Sequence, residues 1–164
     1  MLRKSSKLIG YPFNEIVLDT NSFVVLLVGM YDRRLLGKVL SQNRFNGINL
    51  NDLYFCLEEF LRHRRIILTP QVLVETGNII ENRCSKDTFK GIILEFMNFL
   101  VNGIIEVYIH KNDLLENKKI QDFGFADISV FEASKDRSLI TGDWRLYSYC
   151  SNKRREVISL EEFC

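Results

Sequence analysis

Short, mainly apolar runs alternate with longer amphipathic stretches along this chain, and this alternation strongly limits the folds it can adopt. The runs lie at residues 16–18, 66–68, 104–109 and 138–141. Strands that are apolar on both sides are typical of a parallel sheet covered by helices. The pattern therefore predicts a three-layer α/β/α fold with a central parallel sheet of four to five strands, the fifth being residues 156–159 at an edge.

The stretches between the apolar runs carry helix signals. Thr69 and Pro70 predict a helix start, because threonine caps helices well and proline fits the first helical position. Asn102 and Gly103 predict a helix end. We expect further helices at residues 22–30, 52–61, 86–101 and 125–134, with residues 32–40 either continuing the first of these or forming a helix of their own. Loops are expected at 43–49 and 112–122, the second with a helical turn.

Length and charge limit the class of protein. A chain of 164 residues fits one domain, which we expect to span residues 1–164 with a core at about 15–160. The 22 basic and 21 acidic side chains give a formal charge of +1, which argues against a protein that coats nucleic acid but leaves room for a local basic patch. No signal peptide and no apolar run of about 20 residues is visible. The expectation is a soluble, cytoplasmic protein without membrane contact.

The cysteines give no sign of a metal site or of disulfides. The chain has four of them, Cys56, Cys84, Cys150 and Cys164, and none forms a C-x-x-C pair. We expect free thiols.

Two aspartates follow predicted strands. Asp19 ends the first strand and Asp143 follows the fourth, and active sites of parallel α/β sheets gather at the carboxyl ends of strands. Asp127 lies in the first turn of a predicted helix, and Glu75 lies in an apolar stretch of another. Taken together, these four acids predict a joint site.

Such a cluster needs a cation. Two carboxylates about 4 Å apart repel each other by roughly 4 kcal/mol at an effective dielectric constant near 20. A hard divalent ion, Mg²⁺ or Mn²⁺, removes that repulsion and suits metal-assisted cleavage of phosphodiesters. Without metal, Asp19→Asn or Asp143→Asn is then expected to leave the fold intact or more stable. Three of these acids also have a simpler structural explanation when each is considered alone. Asp127 can interact favourably with the dipole of its helix, Asp143 can cap a helix, and Glu75 can be an ordinary surface acid.

Four segments resemble the acidic motifs of PIN-domain nucleases, in the same order. They are IVLDTN at 16–21, LTPQVLVE at 68–75, FADIS at 125–129 and LITGD at 139–143. The similarity extends over nearly the whole chain, and the four motifs in order are more specific than any one of them.

This resemblance implies a metal-dependent ribonuclease acting on single-stranded or structured RNA. The residues that would hold Mg²⁺ or Mn²⁺ and carry catalysis are Asp19, Glu75, Asp127 and Asp143. Asn21 and Thr141 occupy positions that support the acidic cluster or place water in the family. Many members are VapC-type toxins that dimerise and are silenced by a small antitoxin protein, which implies those partners besides RNA.

The chain also departs from the family pattern. A further acid often stands two residues after the fourth motif acid, where this chain has Arg145, a residue that would contact substrate phosphate or lie on the surface. Lys118 and Lys119 are candidate substrate contacts. The basic runs at 62–65 and 153–155 precede strands, so we expect them at the opposite edge, as solvated connections.

Two other functions stay open. One is a catalytically weak or inactive binding module on the same fold. The other, less favoured, is a phosphatase of the haloacid dehalogenase type. That class needs a second acid where this chain has Asn21 and another where it has Tyr147.

Overall fold

Five short strands form one sheet in which every neighbouring pair is parallel. The computed structural model describes residues 14–40, 45, 47–100 and 103–163. The strands are β1 (Glu15–Leu18), β2 (Arg65–Leu68), β3 (Ile104–Glu106), β4 (Ser138–Thr141) and β5 (Val157–Ser159). Their order across the sheet is β3-β2-β1-β4-β5. This confirms the predicted α/β class with a central parallel sheet.

The central strand β1 is buried on both faces. Its residue Val17 pairs with Ile67 of β2 on one side and with Leu139 of β4 on the other. All three side chains are inaccessible to solvent. Burial from both sides explains why this strand has no polar alternation.

Helices cover both faces of the sheet. They are α1 (Thr20–Asp32), α2 (Leu36–Val39), α3 (Leu50–Leu61), α4 (Pro70–Arg83), α5 (Lys86–Leu100), α6 (Lys111–Glu116), α7 (Ile120–Phe123), α8 (Phe125–Ala133) and α9 (Trp144–Asn152), with 3₁₀ turns at Arg33–Leu35 and Leu160–Phe163. Helix α1 packs against α3, α4 and α5, whereas α8 packs against α6, α7 and α9 and also meets α4. Right-handed crossovers place these two groups on opposite faces of the sheet.

The strand order creates a switch point between β1 and β4. The chain leaves β1 toward β2 and β3, then crosses to β4 on the other side of β1 and continues outward to β5. Connections therefore leave the carboxyl ends of β1 and β4 in opposite directions. In open parallel sheets, ligands bind in the crevice at such a point.

Three local expectations need correction. The predicted third strand, 104–109, ends at Glu106, because β2 ends at Leu68 and α4 starts at Pro70, so no partner strand continues. Only one further backbone bond, from Val107 N–H to the Leu68 carbonyl, extends the pairing. Residues 112–122 hold most of two short helices rather than one loop with a turn, and residues 32–40 divide into the end of α1, a 3₁₀ turn and α2.

Some sequence expectations fall outside the described residues. These are the predictions at Asn102 and Cys164 and, in the loop at 43–49, those at residues 43, 44 and 46. The cysteines that are described, Cys56, Cys84 and Cys150, are free. No helix in the described ranges is both long and apolar enough to cross a membrane.

Candidate functional site

Asp19 stands at the carboxyl end of β1 and caps helix α1. Its side chain is only 2% exposed. Oδ1 accepts hydrogen bonds from the Ser22 backbone N–H at 2.7 Å and from the Ser22 hydroxyl at 2.5 Å. Oδ2 accepts from the Thr141 hydroxyl at 2.6 Å and from Gly142 N–H at 2.9 Å. The carboxylate thus accepts four hydrogen bonds, about as many as its lone pairs allow.

Burial and hydrogen bonding act on this carboxyl in opposite directions. Burial raises the pKa of Asp19 above its ordinary value because it disfavours the charged form. The bonds from Ser22, Thr141 and Gly142 lower the pKa and offset only part of that effect. A buried acid held in this way is typical of functional sites and also of structural networks.

Glu75 reaches the same place from the second turn of α4. One of its carboxylate oxygens accepts a hydrogen bond from the Thr20 hydroxyl at 2.6 Å. Thr20 follows Asp19 directly, so this bond holds Glu75 beside the start of α1. Glu75 itself is exposed, and its neighbour Val74 is 65% exposed. The apolar stretch around Glu75 therefore does not bury its charge, contrary to what the sequence suggests.

Asp127 lies half-buried in the first turn of α8. The turn is fixed by Ser129, whose hydroxyl lies 2.7 Å from that of Thr69 and donates to the Ala126 carbonyl at 2.7 Å. Because Thr69 follows β2 directly, this contact brings the start of α8 to the carboxyl edge of the sheet. Phe125, two residues before Asp127, is exposed and does not shield it.

Asp143 follows β4 by two residues and caps helix α9. Its Oδ1 accepts from the backbone N–H groups of Arg145 at 2.8 Å and Leu146 at 3.2 Å. Its own N–H donates to the Thr141 hydroxyl oxygen at 2.9 Å. Thr141 therefore links Asp143 to Asp19, since its hydroxyl donates to one residue and accepts from the other.

The four predicted acids thus all lie at one edge of the sheet, around the switch point. Burial raises the pKa of the nearby Cys150 thiol to about 12, and the charges of Asp127 and Asp19 add to that rise. Within the described ranges, no three His, Cys, Asp or Glu side chains are placed as a ready metal-binding group.

Of the two supporting residues that the resemblance implies, Thr141 donates a hydrogen bond to Asp19. Asn21 lies beside Gly142, but the hydroxyls that hold the acids are those of its neighbours Thr20 and Ser22. An N-cap aspartate followed three residues later by a serine was the available signal.

Two of the three candidate substrate cations have protein partners. Arg145 donates to the Asp122 carbonyl at 2.8 Å, and its guanidinium lies 5.2 Å from the centre of the Phe123 ring. Lys119 forms an exposed ion pair with Asp122 at 2.7 Å. Lys118 is exposed. Arg145 is thus both exposed, as one expectation had it, and attached to α7.

The chemistry of the four side chains fits a hard divalent cation, because all donors are carboxylate oxygens. Asp19 already accepts four hydrogen bonds inside the protein, so a cation bound to it would have to replace at least one of them. The Ser22 hydroxyl is a donor with an alternative acceptor, the Ile140 carbonyl at 3.1 Å.

No protein-family model, no curated protein and no solved structure matches this chain.

Proposed function

We propose that this protein is a metal-dependent ribonuclease that hydrolyses RNA phosphodiester bonds at the carboxyl edge of its sheet. One observation supports the proposal: four acids from four separate segments, Asp19, Glu75, Asp127 and Asp143, lie at the carboxyl edge of the sheet. Carboxylates gathered in this way suit a cation and a phosphate substrate. The resemblance of the four motifs to PIN-domain nucleases supports the same function.

The residues have distinct roles in this proposal. Asp19, Glu75, Asp127 and Asp143 would hold Mg²⁺ or Mn²⁺, which supplies a Lewis acid and a water of lowered pKa when bound. Thr141 and Ser22 keep the Asp19 carboxylate in one orientation. Thr20 does the same for Glu75. Asn21 lies beside Gly142, close enough to help place water.

The partners and location follow from the resemblance alone. We propose RNA as substrate, a small antitoxin protein as inhibitor, a homodimer as the assembly and the cytoplasm as the compartment. Light scattering of the purified chain tests the dimer. Co-purification with the product of a small neighbouring reading frame tests the antitoxin.

A second candidate, an inactive binding module, is favoured by a specific observation. Asp19 and Asp143 both cap helices, and their side chains accept hydrogen bonds from backbone N–H groups of the protein. Acids that only cap helices need no cation. Mn²⁺ affinity separates the two functions, because a module of this kind should bind Mn²⁺ poorly.

The deciding experiment is cleavage of labelled single-stranded RNA, hairpin RNA and tRNA with Mn²⁺, with Mg²⁺ and with chelator. The test variant is Asp143→Asn, and the matched control is Asp136→Asn, an exposed acid before β4 at the opposite edge. The proposal expects metal-dependent cuts that Asp143→Asn loses and Asp136→Asn keeps. Absence of cuts together with absence of Mn²⁺ binding by calorimetry would establish the binding module instead.

A further inference from the structure

Trp144 is a large aromatic side chain left in solvent beside the acidic site. It follows Asp143 directly, is 71% exposed, and is the only tryptophan of the chain. Its ring stacks on that of Tyr147, one helical turn later, with centroids 5.3 Å apart and planes 14° apart. The stack fixes the orientation of the indole and leaves its other face open.

A second aromatic stands in the equivalent position on another helix at this edge. Phe125 begins α8, as Trp144 begins α9, and is 58% exposed. It precedes Asp127 by two residues. A third exposed apolar side chain, that of Val74, lies directly beside Glu75. Three of the four acids therefore have an exposed apolar side chain within two residues, at a sheet edge where solvent-facing positions are usually polar.

The charges at this edge indicate what such a surface would bind. Carboxylates repel the phosphates of a nucleic acid. Of the candidate substrate cations, Lys119 is paired with Asp122 and Arg145 is attached to the Asp122 carbonyl, which leaves the exposed Lys118. Phosphate contacts are therefore a weak source of affinity here. Flat aromatic faces bind unpaired bases by stacking, irrespective of sequence, and bases in a duplex cannot present those faces.

We propose that the Trp144–Tyr147 stack, with Phe125, is a base-stacking subsite that selects RNA with an unpaired nucleotide beside the bond to be cut. This proposal rests on the proposed function and narrows its substrate class to single-stranded segments. Trp144 is a specificity residue here, and the acids remain the catalytic residues.

The single tryptophan allows a direct test, because the intrinsic tryptophan fluorescence comes from Trp144 alone. The protein is titrated, in chelator and again in Ca²⁺, with three probes. These are a short oligouridylate, an abasic oligonucleotide of the same length and a blunt RNA duplex. Stacking predicts that the oligouridylate quenches the fluorescence in at least one condition, and that the abasic strand and the duplex do so far less. Equal quenching by the abasic strand, or no quenching by any probe, overturns the proposal.

Variants then measure the contribution of the ring. By anisotropy of labelled oligouridylate, Trp144→Ala is expected to weaken binding about 5- to 100-fold and Trp144→Phe less. The control is Tyr108→Ala, which truncates another exposed aromatic beyond the edge strand β3. Circular dichroism checks that each variant is folded. Equal losses in Trp144→Ala and Tyr108→Ala overturn the proposal.

Binding and cleavage distinguish failure of the subsite from failure of the ribonuclease. Metal-dependent cleavage without quenching of Trp144 would retain the ribonuclease and remove the stacking subsite. Base-specific quenching without cleavage on any substrate would retain the subsite and remove the ribonuclease.

Discussion

Ser22 and Ser138 are both fully buried, but their hydroxyl groups are in opposite situations. The Ser22 hydroxyl donates to the Asp19 carboxylate. The Ser138 hydroxyl has no hydrogen-bond partner among the described residues. A hydrogen bond to a charged group contributes about 1.5–3 kcal/mol, whereas losing an unpaired buried hydroxyl is neutral or favourable.

We therefore predict that Ser22→Ala lowers the free energy of unfolding by about 1.5–3 kcal/mol and that Ser138→Ala does not lower it. Denaturant unfolding of both variants, with unchanged m values, is the measurement. The two substitutions delete the same atom from equally buried sites, so each is the control for the other. Equal effects would mean that Asp19 does not depend on Ser22.

Asp143 combines a helix cap with its proposed role at the cation, and two substitutions separate these roles. Asparagine caps a helix about as well as aspartate, whereas alanine costs about 1 kcal/mol. Asp143→Asn should therefore lose cleavage and keep its melting temperature, and Asp143→Ala should lose cleavage and melt at a lower temperature. Thermal unfolding beside the cleavage assay checks this. Full activity in a folded Asp143→Asn protein would count against the acidic site.

Asp19→Asn is expected to differ from Asp143→Asn, which corrects the expectation drawn from charge repulsion alone. An asparagine amide would face either Gly142 N–H or Ser22 N–H with a donor, because those two groups approach opposite oxygens of Asp19. An unsatisfied buried N–H costs about 1–3 kcal/mol. We expect Asp19→Asn to lower the melting temperature in chelator, and an unchanged or raised value would show that repulsion dominates.

At the scale of helices, the space around two glycines shows how closely each of their helices packs against its neighbours. A Cβ at Gly29 of α1 would lie 2.2 Å from the Tyr54 ring of α3. A Cβ at Gly77, in the interior of α4, would meet nothing within 4 Å. The helical backbone gains the same from either substitution, so only the contact with Tyr54 distinguishes them.

We predict that Gly77→Ala stabilises the protein by about 0.5–1 kcal/mol and that Gly29→Ala destabilises it by about 1–3 kcal/mol. Chemical denaturation midpoints give both values. Stabilisation by Gly29→Ala similar to that of Gly77→Ala would show that α1 and α3 do not pack closely at Tyr54.

The elements that sequence predicted best are those whose signals are local. Thr69 caps α4 as expected, with Val72 N–H donating to its hydroxyl at 3.4 Å and Pro70 in the first turn. The sheet class followed from short apolar runs, which only burial on both faces explains. The end of β3 could not be predicted, because its length depends on where β2 stops pairing.

In the candidate site, too, the features with local signals could be predicted and those that depend on packing could not. The acids could be proposed from their places after strands and in helix turns. The hydroxyls of Thr20 and Ser22 could not be chosen over Asn21, because the first turn of a helix points successive side chains in different directions. The exposure of Trp144 and Phe125 could not be predicted either, because aromatic residues favour the core and only the packed structure shows which ones remain in solvent.

At the scale of the whole molecule, several basic side chains at the edge of the sheet opposite the acidic site have ion-pair partners. Arg65 begins β2, and Arg137 precedes β4, so both stand at the amino edge, where each forms an ion pair with Glu15 at 2.7 Å. Arg62, nearby, pairs with Glu59 at 2.7 Å. This confirms the expected placement of the basic run 62–65 away from the acids. Among the residues that the structure describes, a nucleic acid at the carboxyl edge would therefore meet few cations.

The salt dependence of RNA binding follows from this distribution. Each phosphate neutralised on a single strand contributes a slope of about −0.7 to log K against log salt concentration. Because Lys118 and Arg145 are the exposed candidate substrate cations that form no salt bridge with the described residues, we predict a total slope of roughly −0.7 to −1.4 for oligouridylate. Anisotropy titrations at several salt concentrations measure it. Arg62→Gln and Lys153→Gln, at the opposite edge, should leave the slope unchanged. A steeper slope that these two variants reduce would mean that RNA lies along the amino edge, and the carboxylate edge would then not be the place where it binds.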